Sequence, residues 1–213
     1  NRTTIDDFGY PLDMALSPDG IKMAVSYMRV NGNKISTHIA FYNFGSAGQM
    51  ELNNQVGELN VDDVLAPQIF FCDNSTAVAV RTDGFTVFSG SQSPKEKKTV
   101  KFDQEIISTF HDGNRIGFVF DGGDSGHKYL MKVYNTGGKN TMQKYFDLQY
   151  NSITLQKDKI VLFNEKEFAI YKLNGQKTFQ GKSRKPIQNV LSIRGFRKYM
   201  VITEDSADLI RLG

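Results

Sequence analysis

An apolar residue followed by an aromatic one recurs along this chain, at Phe41-Tyr42, Val87-Phe88, Val133-Tyr134 and Ile170-Tyr171, with a worn fifth copy at Ile210-Arg211. The second members of these pairs stand 46, 46, 37 and 40 residues apart. A period of this length is that of one supersecondary unit repeated several times, and it constrains the fold more than any other feature of the chain. Each pair closes an apolar run, and two further short runs precede it. The first unit shows the pattern most clearly: Leu12–Leu16, the turn Ser17-Pro18-Asp19-Gly20, Met23–Tyr27, the turn Asn31-Gly32, and then His38–Tyr42. Proline presets φ for a β-turn, glycine accepts positive φ, and Asn-Gly suits the turn that matches strand twist, so the unit reads as an antiparallel meander.

The other units align on the first. First strands are expected at Gln68–Cys72, Ile107–His111, Ser152–Leu155 and Val190–Ile193, and second strands at Ala77–Arg81, Ile116–Phe120, Ile160–Phe163 and Met200–Thr203. The second strands are nearly continuous apolar runs, as expected of strands covered on both faces. More polar fourth strands are expected at Lys97–Phe102, Thr141–Phe146 and Lys177–Gly181, with Ser46–Asn60 as the one irregular stretch. The fold class that follows is all-β: a β-propeller-like array of four-stranded antiparallel blades with five units visible, near 10–58, 59–103, 104–147, 148–183 and 184–213. These are expected to form a single domain. The last unit ends after its third strand, so it is either closed by residues 1–9 or left incomplete.

Several function classes lose their footing. The single cysteine, Cys72, cannot form an internal disulfide and follows the apolar Ile69-Phe70-Phe71, which reads as a buried thiol. The histidines His38, His111 and His127 have no zinc-ligand spacing and read as surface or turn residues. There is no Gly-x-Ser-x-Gly elbow, phosphate-binding loop or dinucleotide fingerprint, so no cofactor is expected. The one cation candidate is calcium at the Asp121–Gly126 loop, which departs from the EF-hand pattern. No apolar run approaches the ~20 residues of a transmembrane helix.

Charge is uneven behind a net +3. From Phe168 to Thr203 there are eight cations and no carboxylate, a sector able to attract a polyanion, although a solvated face is the plainer reading and nucleic acid is not an expected partner. In four-stranded blades the fourth-to-first and second-to-third loops lie at one end. That end would collect 14 of the 23 carboxylates, among them Asp147, Glu165 and Glu167. The candidate binding residues are Asp6, Asp7, Asp62, Asp63, Asp103, Asp121, Asp124, Glu204 and Asp205. Phe8, Tyr10, Tyr145 and Tyr150 fall near the same loops, and rings beside carboxylates suit a glycan surface, although blades also bury aromatics between sheets.

The Ser17-Pro18-Asp19-Gly20 turn followed by Ile21–Val25 resembles the unit of WD40-like propeller repeats, without any tryptophan. The Leu12–Gly20 opening, the Ile39–Phe44 strand and the Val201–Asp205 ending together resemble a Gram-positive cell-envelope family with WD40-like repeats, a domain of unknown function. The resemblance implies an N-terminal membrane anchor upstream of Asn1, an extracytoplasmic, cell-surface repeat domain, and no catalytic residues. The expected function is therefore a non-catalytic binding or scaffold module that uses the acidic loop face, with a protein or cell-wall glycan as partner and membrane contact only through that anchor. The alternative is a glycan hydrolase with paired loop carboxylates such as Asp62 and Asp121.

Overall fold

A computed structural model of the chain describes residues 8–193 and 198–211. The chain divides into two compact units, Asn1–Ile106 with Thr136–Gly138, and Ile107–Asn135 with Lys139–Gly213. The first unit holds two antiparallel sheets. One is β1 (Tyr10–Leu16), β2 (Lys22–Asn31), β3 (Lys34–Asn43) and β4 (Gln55–Asp62); the other is β5 (Gln68–Phe71), β6 (Thr76–Arg81), β7 (Gly84–Ser89) and β8 (Lys95–Lys101). The second unit holds three. They are β9 (Ser108–Asp112) to β12 (Asn140–Phe146) by way of β10 (Arg115–Asp121) and β11 (Tyr129–Asn135); then β13 (Ser152–Gln156), β14 (Lys159–Phe163), β15 (Glu167–Lys172) and β16 (Lys177–Lys182); and last β17 (Ile187–Ser192), β18 (Lys198–Thr203) and β19 (Ala207–Arg211). Every sheet is a meander in sequence order. The last has three strands among the described residues.

The recurring apolar-aromatic pair has a structural meaning. In each of the four four-stranded sheets the ladder between third and fourth strands shifts register at that pair: Phe41/Tyr42, Val87/Phe88, Val133/Tyr134 and Ile170/Tyr171. A bulge there increases local twist and leaves the buried ring on its own face while the outer strand continues. The stretch expected to be irregular is only partly so: a single 3-10 turn at Leu52–Asn54 leads into β4, which is a ladder partner of β3 over its whole length. Half-exposed and alternating, β4 lacks the apolar density that marks the inner strands.

Packing follows the period of two. Along β14, Ile160 and Leu162 join the core of the third and fourth sheets, while Val161 and Phe163 join that of the fourth and fifth. On β15, Ala169 and Tyr171 face one way and Phe168 and Ile170 the other. In the first unit, small residues Ala24, Ala77 and Ala79 let Phe41 and Phe88 meet with ring centroids 4.8 Å apart. Innermost strands of neighbouring sheets share no ladder, and side chains substitute for one. Asp13 on β1 accepts the Ile69 N–H of β5 at 2.8 Å. Asp112 on β9 accepts the Lys157 N–H beyond β13 at 2.8 Å. Gln156 on β13 accepts from Ser192 N–H and donates to the Val190 carbonyl of β17.

His38 corrects the expectation of a surface histidine, for it is 1% exposed on β3, with its ring 5.2 Å from that of Phe8 and 5.9 Å from that of Tyr27. Asn60 Oδ1 accepts from an Arg29 Nη at 3.0 Å and lies 2.8 Å from His38 Nδ1, so Nδ1 carries the proton. Among the described residues Nε2 has no hydrogen-bond partner, and the Glu58 carboxylate stands 3.9 Å away. Burial pushes the His38 pKa below its ordinary value.

Two outcomes are expected. Gly117 pairs with Phe110 across β9 and β10, and a Cβ there would fall 2.1 Å from the Phe110 ring, so Gly117→Ala should cost about 1–3 kcal/mol by chemical denaturation. The cost should shrink in a Phe110→Ala background, and additivity of the two changes would refute the contact. For His38 the folded pKa lies below the unfolded one, so the unfolded state takes up the proton first as pH falls. Stability of the first unit should be constant above about pH 6.5 and fall below it by at most about 1.4 kcal/mol per pH unit, read by hydrogen exchange at β2 and β3 amides. His38→Gln should remove that slope. Asp19 and Asp73, whose pKa values are lowered, add their own loss only below about pH 4.

Candidate binding cleft

Three connections of the second unit meet around one open cleft of about 860 Å³. The first joins β10 to β11. Asp121 Oδ1 accepts the Gly123 N–H at 2.8 Å, a short 3-10 turn spans Gly123–Ser125, and the Gly122 N–H returns to the Lys128 carbonyl. Gly122 is required, because a Cβ there would lie 1.8 Å from the His127 carbonyl oxygen. This loop delivers His127 and Lys128.

The second connection joins β12 to β13 and carries Asp147. Its Oδ2 accepts from His127 Nδ1 at 2.9 Å, and its Oδ1 accepts the Lys128 backbone N–H at 3.0 Å. These hydrogen bonds, that from His127 first, hold the Asp147 pKa below the ordinary carboxylate value. A carboxylate can only accept, so the proton sits on His127 Nδ1 and Nε2 is left as a further polar position. The His127 ring lies nearly parallel to that of Tyr145, at 5.8 Å and 21°.

The third connection joins β14 to β15. Asn164 Oδ1 accepts the N–H groups of Lys166 and Glu167, and its amide donates to the Gln149 carbonyl, which binds the second and third connections together. The floor is the rim of the core: Phe146, Leu148 and Tyr171 are buried. Burial, and then the charge of Asp147, raise the Tyr171 pKa. On the β16 side, Lys177 donates to Gln180 at 2.7 Å and Gln180 donates to Glu167 at 3.3 Å, so cation, amide and carboxylate form one chain.

Those candidate carboxylates read from the sequence that are described lie elsewhere. Asp6 and Asp7 fall outside the described residues. In the first unit, Asp62 ends β4 and Asp63 follows it with φ of 57°, its N–H bonded to the Ile35 carbonyl; Asp103 is exposed beyond β8. In the second unit, Asp121 and Asp124 stand on the loop that delivers His127. Glu204 and Asp205 occupy the β18–β19 turn, where Asp205 pairs with Lys185 at 2.7 Å. None of the seven that are described lines the cleft. Asp147, Glu165 and Glu167, counted with the same loops, and Tyr145, near them on β12, do. His127, Lys128, Lys144 and Lys166 were not singled out for this site, and no spacing in the sequence signals their meeting. Among the other loop carboxylates, Asp83 is held by Arg81, 6% exposed, through two contacts of 2.8 Å. Among the described residues no group of three or more His, Cys, Asp or Glu could hold a metal ion.

Against known families, residues 1–212 match the profile of a Family of unknown function (DUF5711). The chain belongs to DUF5711. A comparison with curated proteins gives no match. Solved structures resemble this DUF5711 chain in fold. Hsv2 from Kluyvelomyces marxianus has a TM-score of 0.57 at 9% identity, with 96% of this chain and 73% of that one covered. The eukaryotic initiation factor has a TM-score of 0.59 at 12% identity, over 92% of this chain and 49% of that one. BamB from Moraxella catarrhalis has a TM-score of 0.50 at 9% identity, over 94% and 73%. The DUF5711 chain thus spans about half to three-quarters of the length of these proteins. At such identities the likeness is one of fold alone, and the fold is the β-propeller-like array that the repeat period implies.

Asp147 is the tie between two of the connections. Asp147→Ala should therefore speed amide exchange at Lys128 by about tenfold while β10 and β11 amides stay protected. Unchanged exchange at Lys128 would show that the loop is held without it.

Proposed function

We propose that this DUF5711 domain is a non-catalytic binding and scaffold module that works outside the cytoplasm and engages its partner in the cleft of the second unit. The observation that carries the reading is the convergence of three separate connections on one polar cleft, each braced by side-chain hydrogen bonds to a neighbour's backbone. Loops fixed in this way form a prepared surface, and binding to it costs little ordering entropy. The volume falls in the roughly 300–1,000 Å³ range of ligand sites. Asp121 and Asp124 stand on the loop that delivers His127, beside the cleft and outside its lining, and calcium there remains part of the proposal. The extracytoplasmic placement rests on the motif resemblance and stands or falls with fractionation of the native protein.

The hydrolytic alternative is less well supported by the chemistry of the cleft. A glycosidase needs one carboxyl group kept protonated near neutral pH, hence a raised pKa. Asp147 is shifted the opposite way by its two donors. Asp121 spends an oxygen on its own turn.

The test places a photo-crosslinking residue at Lys166 on the cleft rim, and for comparison at Lys97 on the exposed strand β8 of the first unit. Envelope extract should give discrete adducts from position 166 and not from position 97, and glycan substrates should release no product. Equal adducts from both positions, or product release that depends on Glu165 or Glu167, would overturn the reading.

A further inference from the structure

We infer that the occupant of this cleft is a neutral, hydroxyl-rich chain, a glycan segment, held by hydrogen bonds and by stacking on the Tyr145 ring. The inference rests on the cleft being the binding site. Its first support is charge. Four lysines, Lys128, Lys144, Lys166 and Lys177, line the cleft together with three carboxylates, Asp147, Glu165 and Glu167, so neither sign is in clear excess. Two of the carboxylates already have donors inside the chain, Asp147 from His127 and Lys128 N–H, and Glu167 from Gln180. A polyanion would meet carboxylates and a polycation would meet ammonium groups, so neither gains from steering.

The second support is the kind of polar group on offer. Among the described residues the side-chain amides of Gln149 and Asn151 have no hydrogen-bond partner, and each supplies both a donor and an acceptor to the cleft they line. His127 Nε2, the Glu165 carboxylate and the ammonium groups of Lys144 and Lys166 extend the same mixture around the cleft. Hydroxyl groups are both donor and acceptor, and a ligand rich in them is the one that can satisfy such a set without bringing charge. The third support is the platform. Tyr145 is 36% exposed and is stiffened from one side by the stacked His127 ring, which Asp147 fixes in turn. A sugar ring presents a face of C–H bonds between hydroxyl edges, and a rigid aromatic beside amides and carboxylates complements both parts.

The experiment uses the whole chain, which has nine tyrosines and no tryptophan, so tyrosine fluorescence and amide NMR shifts both report directly. The probes are tri-N-acetylglucosamine, maltotriose and cellotriose, set against an oligolysine peptide, an oligoglutamate peptide and inorganic phosphate. At least one neutral trisaccharide should shift the amides of 127–128, 145–151 and 164–167, with affinity unchanged between low and high salt. Tyr145→Ala should weaken it about tenfold, Tyr145→Phe should retain it, and Gln149→Ala should weaken it with the fold intact by circular dichroism. Salt-sensitive binding of a peptide at the same amides, with no trisaccharide bound, would overturn the glycan assignment and leave the cleft as the binding site. Shifts by no probe at these amides, with adducts also absent from position 166, would overturn both.

Discussion

Strands that are apolar on both faces cannot stand at the surface, and most of this structure follows from that. The second and third strands of the four four-stranded sheets present buried side chains on both faces, so both faces of those strands must be covered. β14 and β15 show the consequence within the second unit, where successive residues belong to two different cores. Each buried Ile, Leu or Phe removes about 1.5–3 kcal/mol of exposed apolar surface from water, and neither face can be given up without losing half of this. The sequence must therefore keep repeating the unit. The outer strands answer the opposite demand. With solvent on one side, β8 carries Lys95, Lys97, Lys98 and Lys101, charges that discourage further pairing at a sheet edge.

The same constraint explains where the cleft lies. Sheets packed face to face share side chains but no backbone ladder, so their junctions need other means of closure. Near the innermost strands that means is a polar side chain reaching a neighbour's backbone, as Asp13, Asp112 and Gln156 do. Further out, the sheets diverge with their twist, and the gap between the third and fourth is filled up to Phe146, Leu148 and Tyr171 and left open above them. Loops beside that opening are then placed by the framework.

How much of this was legible depends on the reach of each signal. The apolar-aromatic pairs and the dense second strands were plain, because burial on both faces writes itself into consecutive letters; the pairs proved to mark the bulges between third and fourth strands. β4 was missed because a half-exposed strand such as Gln55–Asp62 has too few apolar letters to declare itself. His38 was misplaced because one histidine reads the same on either face of a strand, and only Phe8, Tyr27 and Asn60 together make its site buried. The cleft was legible only as a class of loops. The distance from His127 to Asp147 in sequence carries no information about their contact, which depends on how β11 and β12 pair.

The acidic loop end shows why a total of charges is a poor guide to a site. Counted along the sequence, the loops at that end are rich in carboxylates. In the folded chain Asp83 is held by Arg81, Asp147 by His127 and a backbone N–H, and Asp205 by Lys185, while four lysines line the cleft with its three carboxylates. Charges paired within a few ångströms cancel at the distance of an approaching ligand, and physiological salt screens what remains beyond about 8 Å. What survives at contact range is a pattern of donors and acceptors, and a pattern of that kind selects a ligand by hydrogen-bond geometry and shape. On the proposed reading, recognition at this cleft is therefore local, set by Tyr145, Gln149 and Asn151.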